Sequence, residues 1–149
     1  MTDTSHSALA DQTDVGSYFV ATYPPFSVWS PEGDSILFVS DMNGRSEIYR
    51  ATRNEPTKFW WQNNNFKIEK LTNDGEQKNG IEWSPDGSHV AFTRGRGELC
   101  VMTPDGKTIQ TILKSFTRTE YDWSPDGKWL VYSADDEDFN RDVFIIPID

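Results

Sequence analysis

Apolar residues fall along this chain in short runs separated by polar, glycine-bearing turns. Ile36-Leu37-Phe38-Val39 is followed by Ile48-Tyr49, Val90-Ala91-Phe92 by Leu99-Cys100-Val101-Met102, and Trp129-Leu130-Val131-Tyr132 by Val143-Phe144-Ile145-Ile146. The runs are rich in β-branched and aromatic residues and are bounded by Gly, Asn and Asp, which is the signature of strands. No window of useful length shows the 3.6-residue apolar period of an amphipathic helix. The pattern predicts an all-β chain of short antiparallel strands.

The first run of each pair is preceded by one motif. Trp29-Ser30-Pro31-Glu32-Gly33 returns as Trp83-Ser84-Pro85-Asp86-Gly87 and again as Trp123-Ser124-Pro125-Asp126-Gly127. Within it Pro presets φ at the second turn position, Asp favours the third, and Gly accepts positive φ, so each copy suits a tight hairpin turn. The Trp ends the incoming strand, where a large side chain packs between sheets. In the second repeat the expected strands are Gly80–Trp83, His89–Thr93, Glu98–Thr103 and Thr108–Leu113, with Pro104-Asp105-Gly106-Lys107 turning the chain before the last. Four strands in about 40 residues is the blade of a β-propeller. The chain then divides into blade 1 at 25–72 with an insertion at 52–65, blade 2 at 73–114, and blade 3 at 115–149 without its last strand. Ahead of them lies a polar tail, 1–24, with a candidate strand at 15–23.

The pattern Trp-Ser-Pro-Asp-Gly, an apolar strand, an Asp/Asn/Gly turn and then Ile-Tyr resembles the WD40-like repeat of the PD40 type. That repeat builds the propellers of TolB-like proteins and of tricorn-type and prolyl-oligopeptidase-type proteases. The likeness is densest in Trp29–Tyr49, with Ser40-Asp41-Met42-Asn43-Gly44, and in Tyr121–Ile148; Leu71-Thr72-Asn73-Asp74 matches the link into a following blade. The resemblance implies a partial propeller of about three blades that binds or scaffolds a protein or peptide and is not an enzyme. The alternative it leaves open is a substrate-gating part of a serine peptidase whose catalytic domain is not in this chain. Propellers of this family have more blades, so three explanations stand: a fragment of a longer propeller, a homodimer closing a six-blade ring, or a missing strand supplied by Val15–Tyr23.

Composition narrows the chemistry. Of 149 residues, 24 are acidic and 14 basic, a net charge of −10, which argues against nucleic acid or an anionic membrane as partner. No apolar run is long enough for a membrane helix. The N-terminus lacks a secretory signal, so the chain as written is expected in the cytoplasm, or in the periplasm if its true start differs. The single cysteine, Cys100, excludes an intrachain disulfide and a cysteine-based metal cluster. There is no Gly-x-Ser-x-Gly elbow and no phosphate loop, and no cofactor is expected.

Two segments are candidate sites. Phe59-Trp60-Trp61 lies in the first-repeat insertion, where paired tryptophans could stack on a sugar, a proline-rich peptide or a partner protein. The competing reading folds them back over the blade or into its last strand. In the acidic run 135–142, Asp138, Asn140 and Asp142 match the first ligands of a calcium loop. Val143 stands where that loop needs Gly, so a solvated hairpin competes. The repeated Trp29, Trp83 and Trp123 read as packing residues, and Glu32, Asp86 and Asp126 as turn formers. His89 and Cys100 read as structural.

Overall fold

A computed structural model describes residues 27–115, 117, 119–135 and 140–148. The tail and the candidate strand at 15–23 lie outside them. The chain forms two compact units, divided between Gly75 and Glu76.

The first unit is one antiparallel sheet: β1 (Ser27–Trp29), β2 (Ser35–Ser40), β3 (Glu47–Arg53) and β4 (Phe66–Lys70), paired in chain order. The alternation of β2 and β3 places Phe38, Tyr49 and Ala51 on one face, where Phe66, Ile68 and Met42 pack against them. The rings of Phe38 and Tyr49 stack at 5.7 Å. The end of β4 is tied to β3 by Thr72, whose hydroxyl donates to the buried Glu47 carboxylate at 2.6 Å and accepts from the Ile48 amide at 2.9 Å. Glu47 also accepts the Gly75 amide at 2.9 Å. A buried carboxylate is tolerable here because these donors replace its water.

The second unit holds two sheets. One is β5 (Lys78–Trp83), β6 (Val90–Arg94), β7 (Glu98–Met102) and β8 (Ile109–Leu113), again in chain order. The other has three strands: β9 (Tyr121–Trp123), β10 (Trp129–Asp135) and β11 (Arg141–Pro147), with β10 central. Ala91, Leu99 and Val101 of the first meet Trp123 and Leu130 of the second, and Tyr132 and Ile146 pack on the same cluster. Leu130 is fully buried. Thr119, on the chain leading into β9, donates to the Gly97 carbonyl at 2.8 Å and ties the two sheets at their turns.

The strands expected for the second repeat form within two residues of their predicted ends. The largest difference is β5, which begins at Lys78 rather than Gly80. A bulge between Asn79 and Glu82, with Gly80 at φ 60°, interrupts the side-chain alternation there and hides the start of the strand. The first-repeat insertion begins later than Thr52, because Thr52 and Arg53 still pair with Lys67 and Phe66.

The repeated motif folds as one turn. In each copy the Gly amide donates to the Ser carbonyl at 2.9 Å, and Gly33, Gly87 and Gly127 take φ of 70°, 72° and 73°. The Ser hydroxyl is the second fastener. Ser84 Oγ donates to Asp86 at 2.7 Å and accepts the His89 amide at 2.9 Å; Ser124 Oγ donates to Asp126 at 2.6 Å and accepts the Trp129 amide at 2.9 Å. Thr103-Pro104-Asp105-Gly106 is a fourth copy, between β7 and β8, with Thr103 Oγ1 to Asp105 at 2.7 Å and Gly106 at φ 71°.

Glu32 lies in its turn, as expected, but its carboxylate does not take the place that Asp86 and Asp126 take in theirs. The partner of Ser30 Oγ is Asp34, at 2.8 Å, which stands after the glycine instead of before it. The shorter Asp carboxylate reaches a hydroxyl two residues back, and the first repeat, with Glu at that position, moves the acceptor to the next available Asp.

These turns predict an asymmetry between equivalent glycines. A Cβ on Gly127 would lie 2.7 Å from the Asp86 carboxyl carbon, whereas one on Gly33 meets nothing within 4 Å. Gly33→Ala should lose about 1 kcal/mol, the left-handed backbone penalty alone. Gly127→Ala should lose clearly more, because Asp86 must also leave its turn; urea denaturation of the two variants measures the difference.

Candidate functional site

The insertion between β3 and β4 runs from Asn54 to Asn65 and contains one turn of 3-10 helix at Trp60–Gln62. Asn63 builds it. Its buried amide group accepts from the Glu55 amide at 3.0 Å and donates to the carbonyls of Phe59 at 3.0 Å and Glu55 at 3.3 Å. Gln62 closes the other end: its side chain accepts the Phe59 amide at 3.1 Å, and its own amide donates to the Phe59 carbonyl at 3.0 Å. Arg53 reaches across to the Lys58 carbonyl at 2.6 Å.

A 3-10 turn advances about 120° per residue, so the adjacent Trp60 and Trp61 within it point a third of a revolution apart. Trp60 turns inward. Its indole N–H donates to the Gly33 carbonyl at 2.9 Å, fastening the insertion to the turn between β1 and β2. Its ring stacks on Phe66 at 5.6 Å, meets Trp29 edge-on at 4.8 Å, and lies under the Arg53 guanidinium at 5.3 Å. Phe59 and Trp61 turn outward. They are 67% and 78% exposed, and their rings lie parallel within 5° at a centroid distance of 5.8 Å.

The three aromatic residues of the insertion therefore separate by role. Trp60 folds back over the sheet, while Phe59 and Trp61 form a solvent-facing platform. Asn63, which holds the platform, carries no distinguishing mark in the run Gln62-Asn63-Asn64-Asn65; only the backbone groups it meets single it out. Lys58 and Glu55 pair beside the platform, leaving its margin polar.

The motif tryptophans differ more than their common spacing suggests. Trp123 is buried in the second unit and Trp83 is half-buried, but Trp29 is 51% exposed, with Trp60 against its edge. His89 lies beside Trp123, rings 6.5 Å apart, and its Nδ1 is 2.9 Å from Ser88 Oγ. Cys100 is fully buried, with its Sγ 3.9 Å from Thr111 Oγ1. Of the calcium candidates, Asp138 lies outside the described residues. Asn140 and Asp142 are exposed at the start of β11, and Asp142 pairs with Ala134 as a strand residue. Among the described residues no group of three or more His, Cys, Asp or Glu is placed to hold a metal ion. No helix among them is long and apolar enough to cross a membrane.

Electrostatics follow local hydrogen bonding. The Ser84 hydroxyl, then the Ser88 amide and hydroxyl, hold Asp86 down from 3.8 to about 2. Thr103 and Lys107 lower Asp105, and Ser124 and the Lys128 amide lower Asp126. Lys67 and Arg50 lower Glu69, and Arg94 lowers Glu98. Glu82 moves the other way, raised by burial and by the nearby Asp122 charge, and burial raises the Tyr121 phenol.

Comparison with known proteins places the architecture. No family model matches the chain. Among curated proteins, one of the subunits of eukaryotic translation initiation factor 3 from Xenopus laevis is 28% identical over 110 residues, covering 71% of this chain and 15% of that protein. TolB from Acinetobacter baumannii superposes with a TM-score of 0.59 at 23% identity, over 83% of this chain and 30% of that one. A putative TolB from Agrobacterium tumefaciens gives 0.60 at 20% identity, over 87% and 48%. A chain of the nidogen/laminin complex gives 0.55 at 11% identity, over 81% and 43%. The chain thus spans less than half the length of each of these proteins. With its three sheets of four, four and three strands, it has a partial β-propeller fold whose third blade is incomplete among the described residues.

Two of these local arrangements, the anchored insertion and the Ser84–Asp86 turn, can be tested by measurement. Trp60→Ala should destabilise the first unit by about 2–4 kcal/mol, while Trp61→Ala should stay within about 0.5 kcal/mol, as read by thermal melting. The Asp86 carboxyl should titrate near 2 by carbon NMR. Because its folded value lies below the ordinary one, the stability it contributes is complete above pH 3.8 and is lost as pH falls through about 2. Ser84→Ala should raise that titration toward 3.8.

Proposed function

We propose that this chain is a non-catalytic binding and scaffolding segment that recognises a protein or peptide through the Phe59–Trp61 platform. The observation that carries the reading is the exposure of two large, mutually stacked rings on a braced loop. Exposed aromatics with few rotatable bonds lose little entropy on contact and supply most of the binding energy in protein recognition. The loop around them is already ordered by Asn63, Gln62 and Trp60, so little ordering cost remains for the partner to offset.

The net charge of −10 supports a partner other than nucleic acid, and favours one with basic residues near its contact. The Xenopus relative is, by its name, one component of a larger factor, and one solved neighbour comes from a protein–protein complex. A propeller segment serving as an assembly surface agrees with both.

A random peptide library displayed on phage tests the proposal. Peptides selected on the full chain should bind at least about tenfold more weakly to Phe59→Ala and Trp61→Ala, with melting temperatures unchanged. Selected peptides that bind both variants as well as the parent would remove the platform from the recognition surface.

A further inference from the structure

The exposed rings of the insertion form an offset stack. Parallel rings in contact lie about 3.5–4 Å apart face to face. The 5.8 Å between the centroids of Phe59 and Trp61, with their planes 5° apart, therefore includes a sideways step. The outer face of each ring stays free, and the step leaves a ledge where the edge of one ring meets the face of the other.

The hydrogen-bonding groups beside the stack are unequal. The Lys58 carbonyl accepts from Arg53, the Phe59 carbonyl from Gln62 and Asn63, and the Trp60 carbonyl from the Asn63 amide. The Gln62 side-chain oxygen accepts the Phe59 amide. These acceptors are engaged inside the insertion. Two donors are not: the indole N–H of Trp61 and the side-chain NH2 of Gln62 bond to none of the described residues, and both residues are exposed. The surface thus offers apolar ring faces edged by N–H donors.

That polarity selects among partners. A β-strand presents N–H and C=O groups together and needs a strand edge to answer both. An α-helix satisfies both kinds of group within itself. A sugar presents hydroxyls that donate as well as accept. A run of prolines has no backbone N–H at all, forms no internal hydrogen bonds, and leaves its carbonyls open along an extended left-handed helix. Its flat apolar rings match aromatic faces, and its preformed helix loses little entropy on docking.

We propose that the Phe59–Trp61 platform recognises a proline-rich segment of a partner protein in the polyproline II conformation. Its pyrrolidine rings lie on the outer ring faces and the ledge, and its carbonyls accept from the Trp61 indole and the Gln62 amide. This assignment rests on the reading of the platform as a recognition surface and names what that surface recognises.

The test follows the Trp61 indole N–H by NMR while the full chain is titrated with decaproline to millimolar concentration. That signal should shift and saturate, whereas the Trp60 indole, held by the Gly33 carbonyl, should move little. A flexible Gly-Ser peptide of the same length should give no such shift. Trp61→Phe keeps a ring and removes the donor; followed on the Gln62 side-chain amide, it should bind decaproline about threefold more weakly or worse. Trp61→Ala should abolish the response, with the melting temperature of both variants unchanged. The absence of a saturable shift, an equal response to the Gly-Ser peptide, or undiminished affinity in Trp61→Phe would overturn the proposal. Saturation by cellohexaose where decaproline has no effect would also overturn it and assign the rings to a sugar. Library peptides that lose binding to Phe59→Ala and Trp61→Ala but lack proline would overturn the proline assignment alone and leave the recognition surface standing, so the two readings fail separately.

Discussion

The hairpin turn that opens each repeat sets the register on which the other contacts rest. A strand that slips by one residue moves its whole apolar set to the opposite face, so something must hold pairing in place before any side chain packs. Here the constraint is a glycine at positive φ together with a hydroxyl that both donates to a carboxylate and accepts a backbone amide five residues on. Once Ser84 and His89 are joined, Trp83 must face Val90; once Ser124 and Trp129 are joined, Trp123 must face Leu130. The cluster of Ala91, Leu99, Val101, Trp123 and Leu130 follows from those two registers. The same geometry recurs at Thr103 with threonine in place of serine, so the hydroxyl and the glycine are the active parts, and the tryptophan before them belongs to packing.

Much of the architecture was legible in the sequence because its causes are local. Strand alternation, Gly-bearing turns and the Trp-Ser-Pro spacing each act within a few residues, and they gave the sheets and their strand order. Local reasoning missed what depends on a through-space partner. The early start of β5 is masked by a bulge at Gly80. Glu32 sits at the right place in the motif, yet the hydroxyl chooses Asp34, because reach decides which carboxylate can bond. Trp29, Trp83 and Trp123 occupy one motif position, but only Trp123 is buried, because Ala91, Leu99 and Val101 of the adjoining sheet pack against it.

The candidate site shows the same division at closer range. Adjacent tryptophans with the same chemistry and the same sequence neighbourhood end in opposite environments. The sequence places Trp60 and Trp61 together on a loop; the 3-10 turn, held by Asn63 and Gln62, separates them by a third of a revolution. Trp60 then makes Trp61 useful. By bonding Gly33 and stacking on Phe66 it anchors the loop to the blade, and the exposed pair beside it is presented on a fixed base. Without that anchor the two rings would lose the ordering that distinguishes a recognition surface from a scattered exposed residue.

An exposed apolar surface needs a physical account of why it stays exposed, and the blades supply one by comparison with each other. Side chains equivalent to Val143 and Ile145 are buried in blade 2 by the neighbouring sheet, and the edge equivalent to β11 is closed in blades 1 and 2 by a fourth strand. The composition of β11 is therefore that of an interior strand, not of one evolved to face water. Edge strands that must remain unpaired carry inward charges or a central proline; β11 has its charges at the Arg141-Asp142 end and its proline at the other, which leaves Val143–Ile146 without such a block.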